Sequence, residues 1–444
     1  MKESGVEWLP NISESWSIVK VSISYNIQLG KMLQNEASTV FDKQYPYLRA
    51  INVNWGKVDS ENLPQMWANS CDISKYQILN GDLLVCEGGE VGRAAIANNI
   101  NETTIIQNAL HRVRSIYSSV NYLAYFLEHT ANCGWFGILC NKATIAHFTV
   151  EKFSSLLMPL PPLPIQKDIA AYLDKETVRI DALIAKKERQ IALLQEKRQA
   201  IITRAITKGL DPKAKMKDSG VEWIGEIPEG WEVIPIKHLG KMQNGYAFDS
   251  LEFMDSGVRI LKISNIQSMR IDWEDESFID EKYYTLLSQF RVYKNDLIFA
   301  LTRPIISTGI KAAVFESDEK ALLNQRNAVF RPSGKADMKW IYYIVIDSVF
   351  THIFDMEIDK TGQQPNISTN KIGNIKIPFP PKKEQNIIIE YLDTVCNEIN
   401  GLSRLIQKSV ITLREYRSSL ITTAVSGQID ISSERKQSNN RGSA

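Results

Sequence analysis

The chain has 444 residues, of which 44% are hydrophobic and 23% charged, and a formal net charge of +1. This is ordinary globular material, enough for two or three domains; no apolar run approaches a bilayer span and the N-terminus is no signal peptide, so a cytoplasmic protein is expected. Five cysteines (Cys71, Cys86, Cys133, Cys140, Cys396), an odd count without CxxC spacing, argue against a disulfide framework.

The first segment, MKESGVEW at residues 1–8, recurs as MKDSGVEW at residues 216–223 with seven of eight positions identical. The match continues through Ile12 and Ile227, Glu14 and Glu229, Trp16 and Trp231, and Val19 and Ile234. The chain is therefore a tandem duplication whose period far exceeds that of solenoid repeats.

Each copy opens with a globular unit of short strands. YLRAINV (47–53) stands against RILKISNI (259–266), and GDLLVC (81–86) against NDLIFA (295–300). One helical patch follows in each, residues 120–129 and 340–354, which gives an α+β reading. Gly30-Lys31-Met32 is matched with Gly240-Lys241-Met242, and Gln107 with Gln325. The loops between these marks have diverged. Cys133, Cys140 and His147 lie seven apart, but zinc ligands come as close pairs, so a metal cluster is not favoured.

Next comes PPLPIQKDIAAYLD and a long amphipathic stretch to Lys208. From Leu173 a three-four spacing runs through Thr177, Ile180, Ile184, Lys187, Ile191, Leu194, Arg198, Ile201 and Ala205, the seam of a heptad coiled coil. Moved on by 219, the seam reappears as Leu392, Cys396, Ile399, Ser403, Ile406, Val410, Leu413, Arg417, Leu420 and Ala424. Prolines at 159, 161, 162 and 164, and at 378, 380 and 381, sharpen both starts, while Gly209 and Gly427 mark the stops. At about 1.5 Å per residue each helix should reach roughly 60–65 Å. Arg198 and Arg417 share a seam position and are read as polar breaks that set register, ahead of partner docking. Residues 186–215 hold nine Lys and Arg against three acids, a solvated face unless context says otherwise.

The division that follows is 1–150 globular, 151–215 helical spacer, 216–365 globular, 366–430 helical spacer, and a polar tail at 431–444 expected to be disordered. If the helices pair through their seams they run antiparallel, and the copy of residues 216–231 that precedes the first unit should pack at the end of the second helix. Two readers on a rigid pair suit two half-sites of a duplex. A scaffold holding two protein partners apart would share that geometry.

Catalytic signatures are missing from the sequence. It has no GxxxxGK[ST] loop, no GxGxxG fingerprint and no Asn-Pro-Pro-Tyr or Asp-Pro-Pro-Tyr tetrapeptide. Asp82 and Glu87 could suggest a metal nuclease, but Gly88-Gly89 stands where a lysine should follow, and a strand end with a turn is preferred. The candidates for DNA contact are donors on turn-rich loops. In the first unit they are Lys31, Arg49, Asn52, Asn54, Trp55, Gly89 and Arg93 of the Gly88–Arg93 loop, Gln107 and Asn108. In the second they are Lys241, Asn244, Tyr246, Lys262, Asn265, Arg303, Thr308, Gln325, Arg326, Gln363, Gln364 and Asn366. Arg, Asn and Gln can pair with base edges, Lys holds phosphate, and glycines let backbone amides approach it.

The doubled hinge (MPLPPLPIQKDIAAYLD at 158–174, IPFPPKKEQNIIIEYLD at 377–393), the helices after it and the SGVEW repeats resemble the specificity subunit of a Type I restriction-modification system. The resemblance covers the chain to about residue 430. It implies two target-recognition domains on an antiparallel helical spacer, each reading one half of a bipartite, asymmetric site in double-stranded DNA. It also implies two methyltransferase (modification) subunits and restriction or translocase subunits as partners. The chain itself would be non-catalytic and without a cofactor, S-adenosylmethionine, ATP and magnesium belonging to the partners. One departure is Ile165, where the second copy has Glu384 of the family's Glu-Gln pair, which puts local helix capping in question.

Overall fold

The computed structural model describes residues 1–100, 102–140 and 147–429; the tail at 431–444 lies outside them. The chain divides into two compact units, residues 1–188 with 407 onward, and residues 189–406. Each long helix, Leu163–Lys208 and Lys382–Val425, is thus shared between them. Their 46 and 44 residues correspond to roughly 65–70 Å. Among the described residues no helix is long and apolar enough to cross a membrane.

In the first unit an antiparallel sheet has the strand order Ala94–Ile96, Leu83–Cys86, Leu110–Ser115, Tyr25–Leu29. A smaller sheet pairs Ile105–Ile106 in parallel with Lys43–Leu48, which pairs antiparallel with Gln65–Ala68. The YLRAINV segment is therefore only partly strand: it turns through a 3-10 helix at Ala50–Asn52 before the short strand Val53–Asn54. Leu83–Cys86 is buried on both faces, which explains its unbroken apolar run. The helix Val120–Asn132 covers the large sheet, and Phe126, Tyr122, Val113 and Leu83 meet in its core.

The second unit repeats this plan. Its large sheet has the order Gly240–Asn244, Asn327–Pro332, Leu297–Ala300, Ala312–Val314, and its second sheet Phe278–Ile279, Val258–Leu261, Ala321–Leu323, Arg291–Val292. Of RILKISNI only the first part is strand. The patch expected as one helix is two, Met338–Val345 and Ser348–Met356. Asp347 divides them, because its Oδ1 accepts from the N–H groups of Val349 (2.9 Å) and Phe350 (3.1 Å) and so starts a new helix.

The hinge is built identically twice. Leu157–Leu160 pairs with Ser17–Lys20, and Lys376–Phe379 with Glu232–Pro235. The buried Gln166 donates to Pro161 O (2.8 Å) and accepts from Ser119 N–H (2.8 Å). Gln385 does the same with Pro380 O (2.9 Å) and Asp337 N–H (3.1 Å). Glutamine, not the residue before it, joins helix to globular unit, so Ile165 leaves the joint intact.

Within each unit the two helix halves run antiparallel on the predicted seam. In the first, Arg417 meets Asp181 (2.9 Å) and Arg414 meets Glu188 (2.7 Å). In the second, Ile202, Ala205 and Ile206 share a core with Ile388, Leu392 and Cys396. Seam positions Leu173, Thr177, Ile180, Leu392, Cys396, Ile399, Val410 and Leu420 are buried. The N-terminal segment packs at the end of the second helix, as the repeat requires: Ser13 N–H donates to Ser426 O at 3.1 Å.

Candidate nucleic-acid interface

The first unit brings its candidates onto one connected edge. Lys31 N–H donates to Ile106 O (2.8 Å), Asn108 N–H to Lys31 O (2.9 Å) and Gln107 N–H to Leu48 O (3.0 Å), so the strand ends carrying Lys31, Arg49, Gln107 and Asn108 are bound together. The Gly88–Arg93 loop joins them, since Arg93 Nη2 donates to Ala50 O (2.8 Å) and Nη1 to Glu90 (3.0 Å). Trp55 Nε1 donates to the same glutamate at 2.7 Å. Gly89 is exposed and has a φ of +73°, a conformation glycine adopts without cost. At the foot of this loop burial raises the Glu87 carboxyl above its ordinary range, with His147 Nδ1 at 3.8 Å opposing the shift.

Exposure then sorts them. Arg49 and Asn54 are exposed, Gln107 and Asn108 half-buried, and all four are available to a ligand. Lys31 is held by Asp72 at 2.9 Å. Asn52 is placed differently from the expected surface donor: it is buried, and its Oδ1 accepts from Arg49 N–H (3.0 Å), so it shapes the turn. Asp82 is likewise no metal ligand, because Arg114 grips it through Nε (2.6 Å) and Nη2 (2.8 Å). Among the described residues no group of three or more His, Cys, Asp or Glu is placed to hold a metal ion.

The second unit has the same backbone frame in a different register from the one the sequence offered. Tyr246 N–H donates to Leu323 O (2.8 Å), Gln325 N–H to Tyr246 O (2.9 Å) and Asn324 N–H to Leu261 O (3.2 Å). Tyr246 thus stands where Lys31 stands, and Gln325 matches Asn108 rather than Gln107. The glycine equivalent to Gly30 is Gly245, not Gly240. A Cβ at Gly30 would sit 2.2 Å from Gln107 O, and one at Gly245 2.2 Å from Asn324 O, so backbone approach fixes both. Lys241, five residues earlier on an extended strand, is roughly 16 Å from this edge and does not join it.

Along the edge, Leu301 N–H donates to Arg326 O (2.8 Å), Arg303 N–H to Pro365 O (2.7 Å) and Ile367 N–H to Leu301 O (2.9 Å). These bonds gather the exposed Arg303, Gln325, Arg326, Gln363 and Asn366, with the half-buried Gln364, beside Tyr246 and Asn244. Arg303 has a φ of +45°, a strained conformation for a residue with a Cβ. Tyr246 is propped by Phe248 and Phe290, ring centroids 5.1 and 5.3 Å away. Thr308 is exposed at a hairpin tip, tied through its carbonyl to Ser268 Oγ (3.1 Å). Lys262 is held by Asp275 at 2.6 Å. Asn265 is placed like Asn52: fully buried, it accepts from Lys262 N–H (2.8 Å) and donates to Asp272 O (2.9 Å), repeating that turn. The first-copy counterpart of residues 363–365 falls at 144–146, outside the described residues.

Two features escaped the sequence reading. At the end of each large sheet away from this edge a paired arginine and aspartate tie strand to turn, Arg114–Asp82 and Arg331–Asp296. In the first unit the loop after Lys31 presents Val40 and Phe41, 93% and 80% exposed, and is pinned by the buried Asp42. Asp42 accepts from Thr39 Oγ1 (2.7 Å), Ser38 N–H (2.8 Å) and Gln34 Nε2 (2.8 Å), and the Thr39 hydroxyl first, then these amides, hold its carboxyl below the ordinary range. An apolar pair inside an otherwise polar loop was the available signal.

The profile of the family described as Type I restriction modification DNA specificity domain matches residues 25–193 and 228–410. The chain is 30% identical over 396 residues to the Type I restriction enzyme MjaVIII specificity subunit of Methanocaldococcus jannaschii, covering 87% of this chain and 88% of that one. It is 21% identical over 442 residues to the EcoKI specificity subunit of Escherichia coli K12, covering 94% and 90%. A solved chain from a study of complex assembly and conformational transition of the type I R-M system superposes with a TM-score of 0.72 at 13% identity, covering 94% of this chain and 99% of that one. The HsdS subunit from Thermoanaerobacter tengcongensis superposes with a TM-score of 0.53 at 15% identity, covering 97% and 100%.

Proposed function

The chain belongs to the Type I restriction-modification DNA specificity family, and on that premise we propose that its two loop edges each read one half of a bipartite, asymmetric site in double-stranded DNA. The observation that supports this most is the repeated frame. The same backbone hydrogen bonds display Lys31, Asn108 and Arg49 in one copy and Tyr246, Gln325 and Lys262 in the other. A fixed scaffold with exchanged donors is what two different base sequences require.

Residues 1–150 and 216–365 act as the recognition domains, and 151–215 and 366–430 as the spacer that sets the gap between half-sites. The spacer region docks two modification subunits and the restriction subunits. Adenine methylation with S-adenosylmethionine, and ATP- and magnesium-dependent cleavage, belong to those partners, and the assembly works in the cytoplasm. This chain supplies sequence choice.

Co-expression with the modification subunit, followed by single-molecule mapping of methylated adenine across a genome, tests the reading. A single bipartite motif with a fixed gap is expected. A soluble complex that leaves no motif would overturn it.

A further inference from the structure

The duplicated seam arginines have unequal surroundings. In the first unit Arg417 is neutralised by two acids, Glu128 and Asp181. The equivalent positions in the second unit are Ile346 and Asn400. The arginine, Arg198, is retained there at 9% exposure. Among the described residues no carboxylate is ion-paired with it, and its side-chain neighbour is the Cys396 thiol.

Arg198 lines a cavity of about 810 Å³. The corresponding cavity over Arg417 measures about 430 Å³. The acids around Arg198 are engaged elsewhere: Asp393 with Lys339 (2.5 Å) and Tyr343 Oη (2.6 Å), and Asp337 with Lys382 (3.4 Å). Glu316 is exposed at the rim and makes no ion pair with Arg198. Met269, Val314 and Met338 supply apolar wall, which suits a carboxylate carried on an aliphatic stem better than a bare ion. An ionised group this buried is expensive unless an opposite charge meets it.

We propose that the cleft over Arg198 receives an aspartate or glutamate side chain of a modification subunit, filling the place that Glu128 and Asp181 fill for Arg417. The identity of the partner rests on the reading above; the demand for a carboxylate rests on the two clefts alone. Because the first unit closes its own site, the grip exists on one side only, and the two modification subunits are held unequally.

The test uses the full chain and its modification subunit, with stepwise assembly followed by native mass spectrometry and calorimetry, and with thermal melting of each free chain. Asn400→Asp supplies the missing acid from within. It should raise the melting temperature of the free chain and weaken one of the two binding steps by at least about tenfold. Arg198→Gln should weaken the same step. Wild-type affinity at both steps in both variants would overturn the inference while leaving the assembly itself standing. A wild-type chain that binds no modification subunit would overturn both. Inorganic phosphate that stabilises the wild-type chain but not Asn400→Asp, with assembly unchanged, would make this a free-anion site and overturn the assignment to a partner.

Discussion

The indole of Trp16 rests on Gly427: a Cβ on that glycine would lie 2.8 Å from Cη2 and 2.9 Å from Cζ2 of the ring. Trp231 stands over Gly209 in the same way, with 3.3 Å to Cζ2. Both glycines have left-handed φ, +73° and +70°. Each therefore ends a long helix and also gives a tryptophan from the repeated opening segment of a copy a place to pack, so helix termination and closure of the repeat are one event. Gly427→Ala should cost roughly 2–4 kcal/mol, combining left-handed strain with overpacking. Gly209→Ala should cost roughly 1–2 kcal/mol, since its nearest neighbours need give only a few tenths of an ångström. Urea unfolding of the two variants measures both values and their order.

The paired ions at the far ends of the two large sheets should behave alike. Asp82 and Asp296 are 5% and 7% exposed, and each accepts two bonds from one guanidinium. Asp82→Ala or Asp296→Ala leaves an arginine without its partner and should cost roughly 3 kcal/mol. Denaturant titration reads this out, and the loss should appear in both copies.

His129 gives the first unit a dependence on pH. Burial lowers its pKa from 6.5 to about 4, while its Nδ1 meets Thr422 Oγ1 at 3.0 Å. The folded form keeps the ring neutral below the pH at which the unfolded chain takes up a proton, so stability is full above 6.5 and is lost as pH falls toward 4. The total is on the order of 3 kcal/mol. His129→Asn, which still reaches the threonine, should flatten the melting profile across that window. The second unit has Asp347 in this place, where it accepts from Gln199 Nε2 at 3.0 Å.

Loop pinning by Asp42 is open to hydrogen exchange. Asp42→Ala should speed exchange at the amides of Ser38 and Thr39 while leaving the buried strand Leu83–Cys86 protected. Unchanged rates at those two amides would assign the loop's order to other contacts.

For recognition, Arg49 and Arg326 are exposed and their removal should leave the fold's stability within about 0.5 kcal/mol. Arg49→Ala should relax methylation at one half-site only and Arg326→Ala at the other, each by about 1–3 kcal/mol of discrimination. Loss at both half-sites from a single change would contradict the division into two readers. Equal weakening on every sequence would assign that arginine to phosphate.

The sequence by itself determined the duplication, the hinges, the seam and the stops of both helices, because heptad spacing, proline and glycine act over one or two helical turns and are written locally. The candidate loops were legible for the same reason, as donors in turn-rich segments. Which residues of the two copies correspond was decided by tertiary structure. Gly30 answers to Gly245 through carbonyls lying far along the chain, and only that approach shows that Tyr246 replaces Lys31. Asn52 and Asn265 look like surface donors in one dimension and are spent inside turns in three. The contrast between Arg198 and Arg417 is invisible along the helices, where both occupy the same seam position. It is set by what the fold carries to them, two carboxylates in one unit and an isoleucine and an asparagine in the other, and a buried charge is governed by its neighbours in space.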